Sequence, residues 1–235
     1  EFTGGIGVDG PRLIVEYETA SITSSADLVC GEAATLSVMA PAGGTSYSLL
    51  YSIGTAGGTI GTVPAGATTN IAWTPDLALA NQITHGVSGA LTLSLYDGVS
   101  SIYSTEHPLL VPASMVPSIT GATFTPVNAQ GDTIGIHVQG RSATKANITA
   151  GSVYGVTIQL YEVTIDGKTT SSATYQITSD VLMTAGTLAA SIKVTDTRGR
   201  TATWTNSSAI TVYAYAAPIV TSMVLARCLE NGTED

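Results

Sequence analysis

Basic residues are scarce in this sequence. The 235-residue chain has 8 Lys and Arg against 17 Asp and Glu, which gives a formal net charge of −9, and residues 13–116 contain no Lys or Arg. Binding to a phosphate backbone depends on a cationic surface that releases counterions. The sequence therefore predicts that nucleic acid is not a partner.

Long apolar runs and cysteines are also few. No apolar run reaches the roughly 18 residues of a membrane span, and no basic N-terminal region precedes an apolar core, so we expect neither a membrane partner nor a signal peptide. The two cysteines, Cys30 and Cys228, lie so far apart in the chain that a bridge would have to span a whole domain. We expect both to be free thiols.

The motifs of common enzyme classes are missing from the sequence. There is no Gly-x-Ser-x-Gly elbow and no Walker loop. Residues 5–10 have the glycine spacing of a dinucleotide fingerprint, but no strand precedes them and Pro11 follows where a helix should run. The sequence therefore predicts no enzyme, no catalytic residue and no cofactor.

Candidate metal ligands are scattered. The histidines, His85, His107 and His137, are spaced too widely for a zinc pair on one helix. Alternation along residues 134–138 predicts that His137 is a solvated strand residue. The loop carboxylate of Asp196 is a candidate calcium ligand, but no Asp-x-Asp-x-Asp-Gly loop surrounds it. We expect no bound metal.

Apolar residues recur at every second position along most of the chain. This period is typical of half-buried strands, and the charged fraction of 11% is too low for a set of surface helices. The sequence therefore predicts an all-β fold. The alternating sets are Leu13/Val15/Tyr17, Ala34/Leu36/Val38, Tyr47/Leu49/Tyr51/Ile53, Ile71/Trp73, Leu91/Leu93/Leu95, Ile134/Ile136/Val138, Ile158/Leu160, Val163/Ile165, Leu188/Ala190/Ile192/Val194, Ala202/Trp204 and Ile210/Val212.

Turn signals separate these runs. Asp97-Gly98 and Asp166-Gly167 each lie between two strand-like runs, and Asp-Gly supplies the positive φ angles of a two-residue hairpin turn. One short helix is predicted, with Thr74 as its cap, Pro75 at its first position and residues 76–80 forming about two turns. We expect this helix to cross between two sheets.

A repeated junction divides the chain. Val111-Pro112 to Pro117-Ser118-Ile119-Thr120 closes one alternating block, and Ala217-Pro218-Ile219-Val220-Thr221-Ser222 closes the next, so that Pro117 and Pro218 are 101 residues apart. This spacing is close to the roughly 100 residues of an immunoglobulin-like domain. The predicted architecture is two tandem immunoglobulin-like or fibronectin-like β-sandwiches. The predicted ranges are a lead-in at 1–11, sandwich domains at 12–116 and 117–217, and at 218–235 the first strand of a following domain or a C-terminal tail.

The tryptophans are the candidate ligand platforms. Trp73 and Trp204 could stack on sugars, but each alternates with apolar neighbours, which favours packing in the core. The sequence indicates no specific ligand-binding residue.

Two sets of ordered motifs, one in each half of the chain, carry a resemblance to a known family. In the first half the motifs are Tyr47-Ser48-Leu49-Leu50-Tyr51-Ser52-Ile53-Gly54, Gly58-Thr59-Ile60, Ala72-Trp73-Thr74-Pro75, Leu79-Ala80-Asn81-Gln82-Ile83 and Ser88-Gly89. In the second half they are Val138-Gln139-Gly140-Arg141-Ser142, Val163-Thr164-Ile165-Asp166-Gly167-Lys168, Val194-Thr195-Asp196-Thr197-Arg198-Gly199-Arg200-Thr201-Ala202 and Tyr215-Ala216-Ala217-Pro218.

In sequence and order these motifs resemble the minor structural proteins of siphoviruses that infect Gram-positive bacteria. The likeness covers roughly residues 28–228 and leaves residues 1–27 unaligned. The resemblance implies a virion protein of the phage tail, at its tip or in a fibre, with no catalytic residues. Expected partners are other tail proteins, with a host cell-wall polysaccharide or surface protein left open as a further partner. Tail parts of this kind usually form symmetric oligomers, so we expect homo-oligomers of the full-length protein. Two alternatives remain, because sandwiches serve many functions: a bacterial cell-surface adhesin or stalk, and a non-catalytic module of a wall-degrading enzyme.

Overall fold

The computed structural model describes residues 19–128 and 135–223. The chain divides into two compact units. The first unit comprises Glu1–Pro117 together with the segments Ser152–Thr157 and Thr195–Arg200. The second unit comprises Ser118–Gly151, Ile158–Val194 and Thr201–Asp235.

The first unit is a sandwich of a three-stranded and a five-stranded sheet, ordered β1-β3-β6 and β2-β8-β7-β4-β5. Its pairs are antiparallel except β2 with β8. The elements are β1 (Ser21–Ser24), β2 (Leu28–Val29), β3 (Ala34–Met39), β4 (Ser46–Ile53), β5 (Ala56–Pro64), β6 (Thr68–Trp73), a 3₁₀ helix (Leu77–Gln82), β7 (Ser88–Tyr96) and β8 (Ser101–Leu110).

The second unit repeats this strand order. Its sheets are β14-β11-β9 and β10-β16-β15-β12-β13, so each strand takes the place of the strand eight earlier in the chain. The elements are β9 (Ser118–Asn128), β10 (His137–Val138), β11 (Ser142–Gly151), β12 (Ile158–Ile165), β13 (Lys168–Ser172), β14 (Gln176–Thr178), β15 (Gly186–Asp196) and β16 (Thr201–Tyr213). Both orders are those of an immunoglobulin-like sandwich, and the predicted all-β fold is confirmed.

Alternation places the core between the sheets of each unit. Leu91, Leu93 and Leu95 of β7 are fully buried, as are Ile192 and Val194 of β15. Most alternating sets are thereby confirmed, because successive side chains of a strand point to opposite faces. Two positions differ: Ile136 and Leu160 are 39% and 36% exposed. The sets that include Leu13 and Ile134 fall partly or wholly outside the described residues.

The predicted hairpin at Asp166-Gly167 is confirmed. Asp166 and Gly167 have φ angles of 51° and 72°, and Ile165 pairs with Lys168 across the two-residue turn. The hairpin predicted at Asp97-Gly98 is wrong in length, because Tyr96 pairs with Ser101 and four residues form the loop. An oxygen of Asp97 accepts hydrogen bonds from the amides of Val99 and Ser100, which stabilises the longer loop.

The predicted helix exists but begins later than expected. Asp76 rather than Thr74 is its N-cap, because the Asp76 carboxylate accepts a hydrogen bond from the amide of Ala78. The helix is of the 3₁₀ type, and Leu79 and Ala80 are its buried residues. None of the helices in the described parts of the chain has the length and apolar character needed to cross a membrane.

The predicted domain limits stay a prediction. The lead-in at 1–11 lies outside the described residues, and so do residues 224–235 of the C-terminal segment. Residues 218–223 belong to no strand, and Ile219 and Val220 are largely exposed.

Candidate functional sites

A buried arginine is the centre of a polar cluster in the first unit. The Arg198 side chain donates hydrogen bonds from Nε to the carbonyl of Ile83 (2.7 Å) and from Nη2 to the carbonyls of Ala80 and Tyr154 (both 2.6 Å). Its Nη1 lies 3.3 Å from the Val153 carbonyl. Burial lowers the pKa of Arg198, an effect that Asp196 opposes. The guanidinium satisfies backbone acceptors and is not open to a ligand.

Asp196 holds the turn that carries this arginine. One of its carboxylate oxygens accepts hydrogen bonds from the amides of Arg198 and Arg200, each at 2.9 Å. Asp196 is buried, so the loop carboxylate considered as a calcium ligand is enclosed in a turn. Within the described residues no group of three or more His, Cys, Asp or Glu side chains could hold a metal.

The three histidines have separate environments. His85 is exposed and bonds to Thr84, whereas His107 is partly buried in β8. The prediction that His137 is solvated is wrong: it is buried, and its Nε2 lies 2.9 Å from the Thr144 hydroxyl. Burial lowers the pKa of His137. The prediction failed because β10 pairs with β16 and directs His137 inward.

The predicted core positions of both tryptophans are confirmed. Trp73 is partly buried against the core of the first unit, and Trp204 against that of the second. Cys30 is a buried free thiol in the first unit, as predicted, while Cys228 lies outside the described residues.

A shallow groove opens on the second unit, and we call it the Ala189 groove. Its volume is about 390 Å³, and it is lined by residues 164–167 of the β12–β13 hairpin, 189–191 of β15 and 205–207 of β16. Sequence reasoning missed it because its walls come from strands far apart in the chain. Sequence reasoning missed the role of Arg198 for the same reason, because its acceptors are backbone carbonyls up to 118 residues away in the chain.

These features define a protein of two tandem immunoglobulin-like sandwich units. Its buried charged side chains, Asp196 and Arg198, form hydrogen bonds with backbone groups. Residues 14–231 match the family described as "Siphovirus protein of unknown function (DUF859)". The chain belongs to this family, and the resemblance to siphovirus proteins is confirmed. Comparison with curated protein sequences gives no match.

Comparison with solved structures gives matches of low similarity. The fibronectin(III)-like modules of Clostridium thermocellum CbhA are 15% identical with a TM-score of 0.33, covering 83% of this chain and 95% of that chain. The full ectodomain of mouse nectin-like molecule 4 is 13% identical with a TM-score of 0.33, covering 87% and 67% respectively. The strand order within each unit, and not these matches, supports the immunoglobulin-like assignment.

Proposed function

We propose that this protein is a non-catalytic structural component of the siphovirus virion, located in the tail or its tip, where it acts as a spacer or a host-surface binding module. The observation that carries the proposal is the family match, which extends over residues 14–231 and therefore includes strands of both units. A match of this extent ties the whole sandwich pair, and not one borrowed module, to siphoviruses.

The architecture supports a structural role. Both units have the same strand order, as expected for repeated spacer modules. The buried Arg198 and Asp196 are committed to backbone groups, and the buried His137 is bonded to Thr144, so these residues stabilise the fold. Other tail proteins are the proposed partners, and a homo-oligomer of the full-length protein is the proposed assembly.

The test is the location of the protein. Mass spectrometry of purified particles, followed by antibody labelling in the electron microscope, should find the protein in virions and place the label on the tail. Its recovery from host cell walls but not from particles would overturn the proposal and favour a cell-surface adhesin. Labelling of the capsid alone would keep the virion role and reject the tail position.

A further inference from the structure

The last strand of the second unit has one long side with little pairing. β16 (Thr201–Tyr213) lies between β15 and β10 in its sheet, and β10 pairs with it only at Val212 and Tyr213. β9 of the other sheet passes near β16, but its own ladder runs along β11. Within the described residues, the β10 side of residues 201–211 therefore has no partner strand, and we call this side the β16 edge.

The backbone groups on the β16 edge can be assigned from the contact with β10. The Tyr213 carbonyl accepts a hydrogen bond from the Gln139 amide at 2.9 Å, so Tyr213 directs its backbone groups toward β10. Along a strand, the N–H and C=O groups of every second residue point to the same side. Thr203, Thr205 and Thr211 therefore direct donors and acceptors to the β16 edge, and all three residues are exposed. Such a row of backbone groups is a template for a further strand.

The equivalent edge of the first unit is protected against strand addition. In β8, the Leu110 carbonyl accepts a hydrogen bond from the residue that follows β2, so Leu110 corresponds to Tyr213 of β16. Two residues earlier β8 has Pro108, which has no N–H to offer, whereas β16 has Thr211 at that position. Proline on an edge strand is a common means of preventing edge-to-edge pairing. The β16 edge lacks this protection, because residues 201–211 contain no proline and no charged residue.

Charge favours a second copy of this chain as the partner. An antiparallel edge is complementary to itself, because each N–H meets a C=O of the other copy across a two-fold axis. In the second unit, residues 118–151, 158–194 and 201–217 contain four Asp and Glu and four Lys and Arg, so two such units have no net charge to repel each other. Residues 13–116 contain seven Asp and Glu and no Lys or Arg, which opposes pairing through the first unit.

We propose that β16 pairs antiparallel with β16 of a second copy of this chain, so that two five-stranded sheets join into one. The exposed residues of the β16 edge include Thr201, Thr203, Thr205 and Thr211, and cross-strand pairs of threonine stabilise a sheet. The inference deepens the proposed function, on which it rests for its biological meaning, because it gives the proposed homo-oligomer a contact surface on the second unit.

The experiment measures self-association of the 235-residue chain by sedimentation velocity from about 10 μM to about 1 mM. Because one strand per copy makes a small contact, we expect a monomer–dimer equilibrium with a Kd on the order of 100 μM. Hydrogen exchange should show the amides of Thr203 and Thr205 protected only at high concentration. The amides of Ala202 and Trp204, which point toward β15, should be protected at every concentration. A monomer throughout, or concentration-dependent protection at another edge alone, would overturn the proposal.

Proline variants test the β16 edge directly. Thr205→Pro and Thr211→Pro each remove an amide that faces away from β15, and Pro108 of β8 shows that a strand of this type accepts proline at the position of Thr211. We expect each variant to weaken dimerisation at least about tenfold. Thr205→Val is the matched control, because it keeps the amide, and it should change the Kd by less than about twofold.

Circular dichroism should show that the variants are folded, and Thr211→Pro decides the matter if Thr205→Pro does not fold. Equal weakening by Thr205→Pro and Thr205→Val, or no weakening by a folded proline variant, would refute pairing through the β16 edge. The particle experiment tests virion location separately. A dimer through β16 in a protein that is absent from particles would keep this inference and reject the location.

Discussion

Tyr51 and Trp73 pack against each other between the two sheets of the first unit. Their ring centroids lie 5.2 Å apart with the planes at 37°, and this distance is within the roughly 4.5–7 Å at which aromatic rings attract each other. Tyr51 comes from β4 of the five-stranded sheet and Trp73 from β6 of the three-stranded sheet. The tryptophan considered as a sugar platform therefore helps to join the sheets.

Gly89 lies close to Ile83, so a substitution at Gly89 tests the packing of the first unit. A Cβ at Gly89 would lie 2.8 Å from Cγ1 of Ile83, which is buried. We expect Gly89→Ala to lower the free energy of unfolding by about 2 kcal/mol, measured by urea denaturation. Gly43→Ala is the control in the same unit, because no atom lies within 4 Å of its added Cβ. An equal loss in both variants would show that the loss does not come from the contact with Ile83.

Removal of Arg198 should destabilise the first unit. Arg198→Ala removes the guanidinium that donates to the carbonyls of Ala80, Ile83 and Tyr154, and we expect a loss of about 3 kcal/mol in the free energy of unfolding. The measurement is urea denaturation in a Trp204→Phe background, where Trp73 reports on this unit. Val99→Ala changes a side chain of the same unit that is 93% exposed, and it should change the value by less than about 0.5 kcal/mol. Similar effects of the two variants would contradict the assigned role of Arg198.

His137 should make the stability of the second unit depend on pH. Burial sets its folded-state pKa below the unfolded value of about 6.5, so the unfolded state binds the proton more readily. The free energy of unfolding should therefore fall as the pH is lowered from about 6.5 through the folded-state pKa. His137→Gln should flatten this part of the profile, whereas His85→Gln, at an exposed position, should not. An unchanged profile in His137→Gln would contradict the expectation.

Cys30 should react only when the first unit opens. Its side chain is fully buried, and burial raises the pKa of its thiol, so both access and thiolate content are low. We expect iodoacetamide to label Cys30 in denaturant without reductant but not in the folded protein. Val99→Cys, at a position that is 93% exposed, provides a reactive control thiol. Rapid labelling of Cys30 in the folded protein would show that this part of the core opens readily.

Some features of the fold could be predicted from the sequence because they depend only on residues adjacent in the chain. Alternation follows from the two faces of a strand, so the set Leu91, Leu93 and Leu95 could be assigned without knowing any partner strand. The turn at Asp166-Gly167 likewise depends on the φ preferences of two adjacent residues. The Asp97 loop was missed because the Asp97 side chain competes for nearby amides, which extends the loop by two residues.

The sequence by itself thus determined the all-β class, the core faces of most strands and the likeness to siphovirus proteins. Only the tertiary structure decided that His137 is buried, that Arg198 binds the carbonyls of Ala80 and Ile83, and that the β12–β13 hairpin, β15 and β16 line a shallow groove. The physical reason is that these features depend on backbone groups and walls supplied by segments distant in the chain, and no local pattern encodes where a distant carbonyl will lie.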